Sequence, residues 1–145
     1  MTKLDSNSMI ARAIKKAGHA DFGGDSWREG LERLVDALND TAQLTQDGAN
    51  MMSYRITLLL LNRLAIEKTY KAHPEIADQV VQGPVFVIGL PRTGTTALSQ
   101  LVAADPQMRS LRAWESGNPV PPPESATEHS DARIAEAQAG LDYMY

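Results

Sequence analysis

The chain has 145 residues, 43% hydrophobic and 22% charged, a composition that fits a soluble globular domain with one core and excludes disorder throughout. A formal charge of -4 leaves no clustered basic surface for neutralising phosphates, so nucleic acid is not an expected partner. Cysteine is absent, which removes disulfide frameworks, thiolate catalysis and cysteine zinc sites; with no secretory leader at the amino terminus, the cytoplasm is the expected location.

Asp5 or Ser6 can cap a first short helix running through Lys16, and Gly18 supplies its stop, because glycine tolerates the left-handed conformation at a helix end. Phe22-Gly23-Gly24 reads as a turn, after which Asp25 or Ser26 caps a second helix. In it Trp27, Leu31, Leu34, Val35 and Leu38 recur at the spacing of one buried stripe. A third helix is expected over about 49–70, where Met52, Ile56, Leu59, Leu60, Arg63 and Glu67 follow helical spacing, and Pro74 ends it. The apolar run from Ile56 to Leu61 is far shorter than the ~20 residues of a membrane helix, so no membrane span is expected.

The character changes at Gly83-Pro84. Val85-Phe86-Val87-Ile88 is a continuous apolar run with β-branched members, the pattern of a parallel strand buried on both faces. A glycine-rich turn follows, and Thr96, Leu98, Leu101 and Val102 begin an amphipathic helix that Asp105-Pro106 closes. A weaker strand is expected over Ser110 to Trp114, then an irregular, polyproline-like stretch from Gly117 to Pro123. Asp131 to Tyr145 reads as helix, with Ile134, Gln138, Leu141 and Tyr145 along one side.

The turn Gly89-Leu90-Pro91-Arg92-Thr93-Gly94-Thr95-Thr96 fits G-x-x-x-x-G, but Thr95 stands where a Walker loop has its lysine and Arg92 is the local cation. Inward-pointing N–H groups of such a turn, with the positive end of the following helix dipole, make a place for a phosphate. A nucleotide hydrolase needs the lysine and magnesium against its β- and γ-phosphates. A phosphosulfate is less charged, so one arginine with the Thr95 and Thr96 hydroxyls can suffice, and no metal is expected.

Pro91 to Thr96 resembles the donor-binding loop of sulfotransferases that use 3′-phosphoadenosine 5′-phosphosulfate (PAPS). Asp21-Phe22-Gly23, Trp27-Arg28-Glu29-Gly30-Leu31, His73-Pro74-Glu75, the loop, and Trp114-Glu115 with the prolines after it together resemble the amino-terminal part of a bacterial sulfotransferase-like group, over most of the chain. The resemblance implies an α/β, P-loop-containing nucleotide-binding sulfotransferase fold. Of it this chain would hold an N-terminal helical region, 1–82, and the truncated start of the donor-binding domain, 83–145, with its first strand-loop-helix unit. It implies that Pro91, Arg92, Thr93, Gly94, Thr95 and Thr96 bind the donor. The amides of Gly94, Thr95 and Thr96 would hold the 5′-phosphate, and Arg92 would stabilise it as a leaving group.

Glu115 follows the expected second strand, and likeness to tyrosylprotein-type sulfotransferases implies it as base for the acceptor, a small molecule bearing a hydroxyl. Many other sulfotransferases use a histidine, and a strand-end cap or ion pair is the other reading of Glu115. His19, His73 and His129 are isolated and read as structural or solvated. Trp114 beside Pro119 to Pro123 reads as a packed aromatic next to a rigid segment. The elements that bind the donor's 3′-phosphate would lie beyond Tyr145, and a lone strand and an uncovered helix face imply self-association. Two alternatives stand beside this reading: a P-loop phosphotransferase or nucleotide hydrolase, and a non-catalytic helical interaction module with a vestigial loop.

Overall fold

The computed structural model describes residues 3–142 and divides into two compact units, Met1–Pro74 and Glu75–Tyr145. The first unit is helical. Helix α1 spans Ser6–Ala17; the Asp5 carboxylate accepts the N–H groups of Asn7 and Ser8 at its start, and Gly18, at φ 76°, closes it by donating its N–H to Ile14. Helix α2 covers Ser26–Asp40, where Asp25 occupies the cap position without a side-chain bond. Helix α3, Gln46–Ala72, starts three residues earlier than the apolar spacing indicates, because the Thr45 hydroxyl caps it by accepting from the Gly48 amide at 3.1 Å. It ends at His73, ahead of a 3-10 turn over Pro74–Asp78.

Met9 and Ala13 of α1, Leu31 and Val35 of α2, and Ile56, Leu60 and Leu64 of α3 form the core, which Phe22 joins from the turn. Asn39 fastens the chain ahead of α1 to the end of α2: its side chain accepts the Leu4 N–H at 2.8 Å and donates to the Leu4 carbonyl at 2.9 Å. Arg63 of α3 secures the turn by donating to the carbonyls of Phe22 at 2.7 Å and Gly24 at 3.3 Å. Its guanidinium also lies 6.0 Å from the Trp27 ring. The expected α2 stripe is only partly inside, with Trp27 and Leu38 half-buried and Leu34 exposed. Helix α3 carries apolar residues around its whole circumference, so Met51, Tyr54 and Leu59 stay exposed while Ile56 and Leu60 are buried.

The second unit holds α4 (Thr95–Ala103), α5 (Ala113–Gly117) and α6 (Ala132–Asp142), and α5 packs against α6. Neither expected strand forms: the described residues are helical, with turns and irregular segments. Val85 to Ile88 carries no ladder, and Val85, Phe86 and Ile88 are 57%, 78% and 90% exposed instead of buried on both faces. A parallel strand needs a hydrogen-bonding neighbour at its edge, and among the described residues no segment pairs with this one. Ser110 and Leu111 are irregular and Trp114 lies in α5, because the Glu115 carboxylate accepts the Arg112 N–H at 2.9 Å and starts a helical turn there. Helix α6 begins beside Asp131 as expected; Tyr145 and the side chain of Leu141, assigned to its apolar side, lie outside the described residues.

Candidate functional site

The loop from Gly89 to Thr96 runs directly into α4, and its conformation follows from three residues. Gly94 is left-handed at φ 88°, which glycine adopts without penalty. Arg92 is left-handed too, at φ 65°, a conformation that costs a residue with a Cβ about 1–2 kcal/mol. Gly89 is pinned by space: a Cβ there would stand 2.6 Å from Thr95 Cγ2 and 2.8 Å from Thr93 Oγ1. The chain thus folds back until residue 89 touches the first turn of α4, and the Thr93 hydroxyl locks the bend by donating to the Leu90 carbonyl at 2.6 Å.

At the start of α4 the first intrahelical bond runs from the Leu98 N–H to the Gly94 carbonyl at 3.0 Å, so the amides of Thr95, Thr96 and Ala97 have no helical acceptor. Among the described residues no side chain caps them. These donors, at the positive end of the helix dipole, are what an anion requires. The Arg92 side chain is exposed and free of any ion pair among the described residues, which keeps its donors available. The residues present therefore fit a phosphate or phosphosulfate group.

Glu115 lies in a different setting. It is 3% exposed, with Oε1 accepting from Arg109 Nη2 and Oε2 from the Arg112 N–H. Arg109 also reaches toward Glu128, at 3.9 Å. Beside this carboxylate, Arg133 lies 4.7 Å over the buried Trp114 ring and donates to the carbonyls of Asn118 at 2.8 Å and Pro121 at 2.7 Å. Two further bonds, of 2.8 and 2.6 Å, tie Arg133 to the Asp131 carboxylate. Hydrogen bonding from the Arg133 side chain, then from its backbone N–H, pulls the Asp131 pKa down to about 2. The cluster fixes Trp114, the proline segment and the start of α6 as one piece.

The structure thus gathers Pro91, Arg92, Thr93, Gly94, Thr95 and Thr96 into one loop and places Glu115 elsewhere in the same unit, with no hydrogen bond or ion pair joining it to Arg92 among the described residues. Arg109, six residues ahead of Glu115 in an irregular segment, has no sequence signal to mark it as a partner. Arg133 had a weak one, since an Asp two residues before an Arg at a helix start favours a local ion pair. His129 is 81% exposed, 3.3 Å from Glu128.

Comparisons with known proteins bear on both units. A family profile described as the sulfotransferase family matches residues 84–143. Among solved structures, the chain is similar to sulfotransferase STF1 of Mycobacterium tuberculosis H37Rv, at 35% identity and a TM-score of 0.85, covering 98% of this chain and 40% of that one. It is also similar to sulfotransferase STF9 of Mycobacterium avium, at 33% identity and a TM-score of 0.85, covering 96% of this chain and 36% of that one. The chain therefore spans well under half the length of these relatives. No curated protein matches it.

Proposed function

We propose that this chain, which belongs to the sulfotransferase family, carries the loop that receives the 5′-phosphosulfate end of PAPS for sulfuryl transfer to the hydroxyl of a small-molecule acceptor. The observation that carries the reading is the start of α4: the amides of Thr95, Thr96 and Ala97 without helical acceptors, next to the unpaired Arg92. The bound donor supplies an activated sulfur whose bond to the 5′-phosphate oxygen breaks as the acceptor oxygen attaches in line. Within the loop, the Gly94, Thr95 and Thr96 amides and the two threonine hydroxyls hold the 5′-phosphate. Arg92 sits where negative charge grows as that phosphate leaves, and preorganised donors of this kind are worth several kcal/mol in the transition state.

Glu115 orients the acceptor hydroxyl and takes its proton. Each of its oxygens already accepts one hydrogen bond, which leaves each a second lone-pair direction. Residues 83–145 form the start of a P-loop α/β domain, and 1–82 a helical region ahead of it. The Val85 to Ile88 run becomes a strand when polypeptide equivalent to the remainder of the longer relatives pairs with its edge, and by itself the chain is weakly active or inactive. Uncovered apolar side chains such as Phe86 and Ile88 favour self-association until then.

Calorimetric titration with adenosine 3′,5′-bisphosphate, with and without Mg²⁺, tests the reading. Binding is expected without metal and roughly 10- to 150-fold weaker in Arg92→Ala. Mg²⁺-dependent ATP binding with no affinity for the bisphosphate would instead establish a phosphotransferase or hydrolase.

A further inference from the structure

Along the seam between α1 and α3 runs a groove that the donor loop does not use. Its wider part, about 350 Å³, has Leu58, Leu61 and Tyr54 of α3 on one side and Arg12 and Lys16 of α1 on the other. A narrower part of about 230 Å³ shares Arg12 with it and extends to Lys3. This places the groove in the size range of small-molecule sites.

The charges there run against the rest of the chain. In a protein of net charge -4, the stretch from Lys3 to Lys16 carries Lys3, Arg12, Lys15 and Lys16 against the single carboxylate of Asp5. Asp5 is engaged in capping α1. Among the described residues no carboxylate lies within ion-pair distance of Lys3, Arg12 or Lys16. Arg12 is held across the seam by donating from Nη2 to Ser53 Oγ at 2.5 Å, which fixes the guanidinium at the groove's edge with its other N–H groups free for an anion. Tyr54 is 63% and Leu58 36% exposed, so the apolar wall faces water.

We propose that this groove binds a single-chain amphipathic anion, its head held by Arg12 and Lys16 and its alkyl chain laid along Tyr54, Leu58 and Leu61. Burial of the chain supplies the hydrophobic contribution, and the unpaired cations fix the orientation and the preference for a charged head. The site is independent of the donor loop, so the two stand or fall separately.

The test is calorimetric titration of the full chain with dodecanoate below its micelle concentration, alongside 1-dodecanol. Dodecanoate is expected to bind saturably at one molecule per chain, and dodecanol roughly tenfold more weakly. Arg12→Gln and Lys16→Gln should each weaken dodecanoate about five- to tenfold, and Leu58→Ala should weaken both ligands alike. Lys16 is exposed, so Lys16→Gln keeps the fold even where loss of the Arg12–Ser53 bond loosens the helix pair. Equal affinity for acid and alcohol, or unchanged binding in both charge variants, overturns the proposal. So does binding confined to phosphatidylglycerol vesicles, which would make this face a membrane contact.

Discussion

Arg92 occupies a left-handed conformation that a residue with a Cβ holds only at a cost, and this separates what it does for stability from what it does for the ligand. Replacement by glycine removes about 1–2 kcal/mol of backbone strain, offset by the ~0.5–1 kcal/mol by which glycine's extra freedom favours the unfolded chain. The net gain is about 0.5–1 kcal/mol, whereas Arg92→Ala keeps the strain and gains nothing. The readout is amide hydrogen exchange at Leu98, whose N–H closes the first turn of α4 onto the Gly94 carbonyl. Exchange there should be about two- to fivefold slower in Arg92→Gly than in Arg92→Ala. Both variants lose the charge-assisted contact to the ligand's phosphate, worth about 1.5–3 kcal/mol, so adenosine 3′,5′-bisphosphate should bind roughly 10- to 150-fold more weakly to each. Equal exchange in the two variants would mean the left-handed turn is not held in solution. Undiminished binding would mean the guanidinium is not aimed at the ligand.

Gly89→Ala forces a Cβ to within 2.6 Å of Thr95 Cγ2 and 2.8 Å of Thr93 Oγ1, both on side chains branched at Cβ that cannot swing aside cheaply. It should destabilise the loop by about 1–3 kcal/mol and abolish bisphosphate binding; a variant that binds normally in the same titration would contradict the tight bend. Leu64→Ala, at a fully buried position of α3, should cost about 2–5 kcal/mol in urea unfolding of the first unit. Leu59→Ala, at a position 65% exposed, should stay within about 0.5 kcal/mol. The Asp131 carboxyl titrates near pH 2 in the folded chain against an ordinary value of 3.8, so its pairing with Arg133 stabilises the folded state above pH 3.8 and is lost as pH falls toward 2. Carboxyl NMR should place the midpoint near 2, and Asp131→Asn should flatten the acid dependence of α6 helicity over that window. A midpoint near 3.8 would show that the clamp is not formed in solution.

Local chemistry made the helices legible. Asp5 and Gly18 bracket α1 because a carboxylate can reach the first amides and glycine can turn left-handed, both properties of the residues themselves. The bend from Gly89 to Thr96 was readable on the same grounds, since Gly89, Gly94 and the threonines encode a turn and a helix start within a few residues. The end of α3 at His73 follows from Pro74 in the same way.

What the sequence could not decide was everything that depends on which side chains the fold brings together. Val85 to Ile88 has the composition of a buried strand, yet strand formation takes a partner edge, and the described residues offer none. Glu115 looked like a residue at a strand end; the structure turned it inward, because Arg109 and the Arg112 amide arrive to share its charge. Short-range bonding thus fixed the helices and the bend from Gly89 to Thr96 from the sequence alone. The surroundings of Glu115, the Arg133 clamp on Trp114 and the exposure of the Val85 run were decided only by which side chains meet after folding.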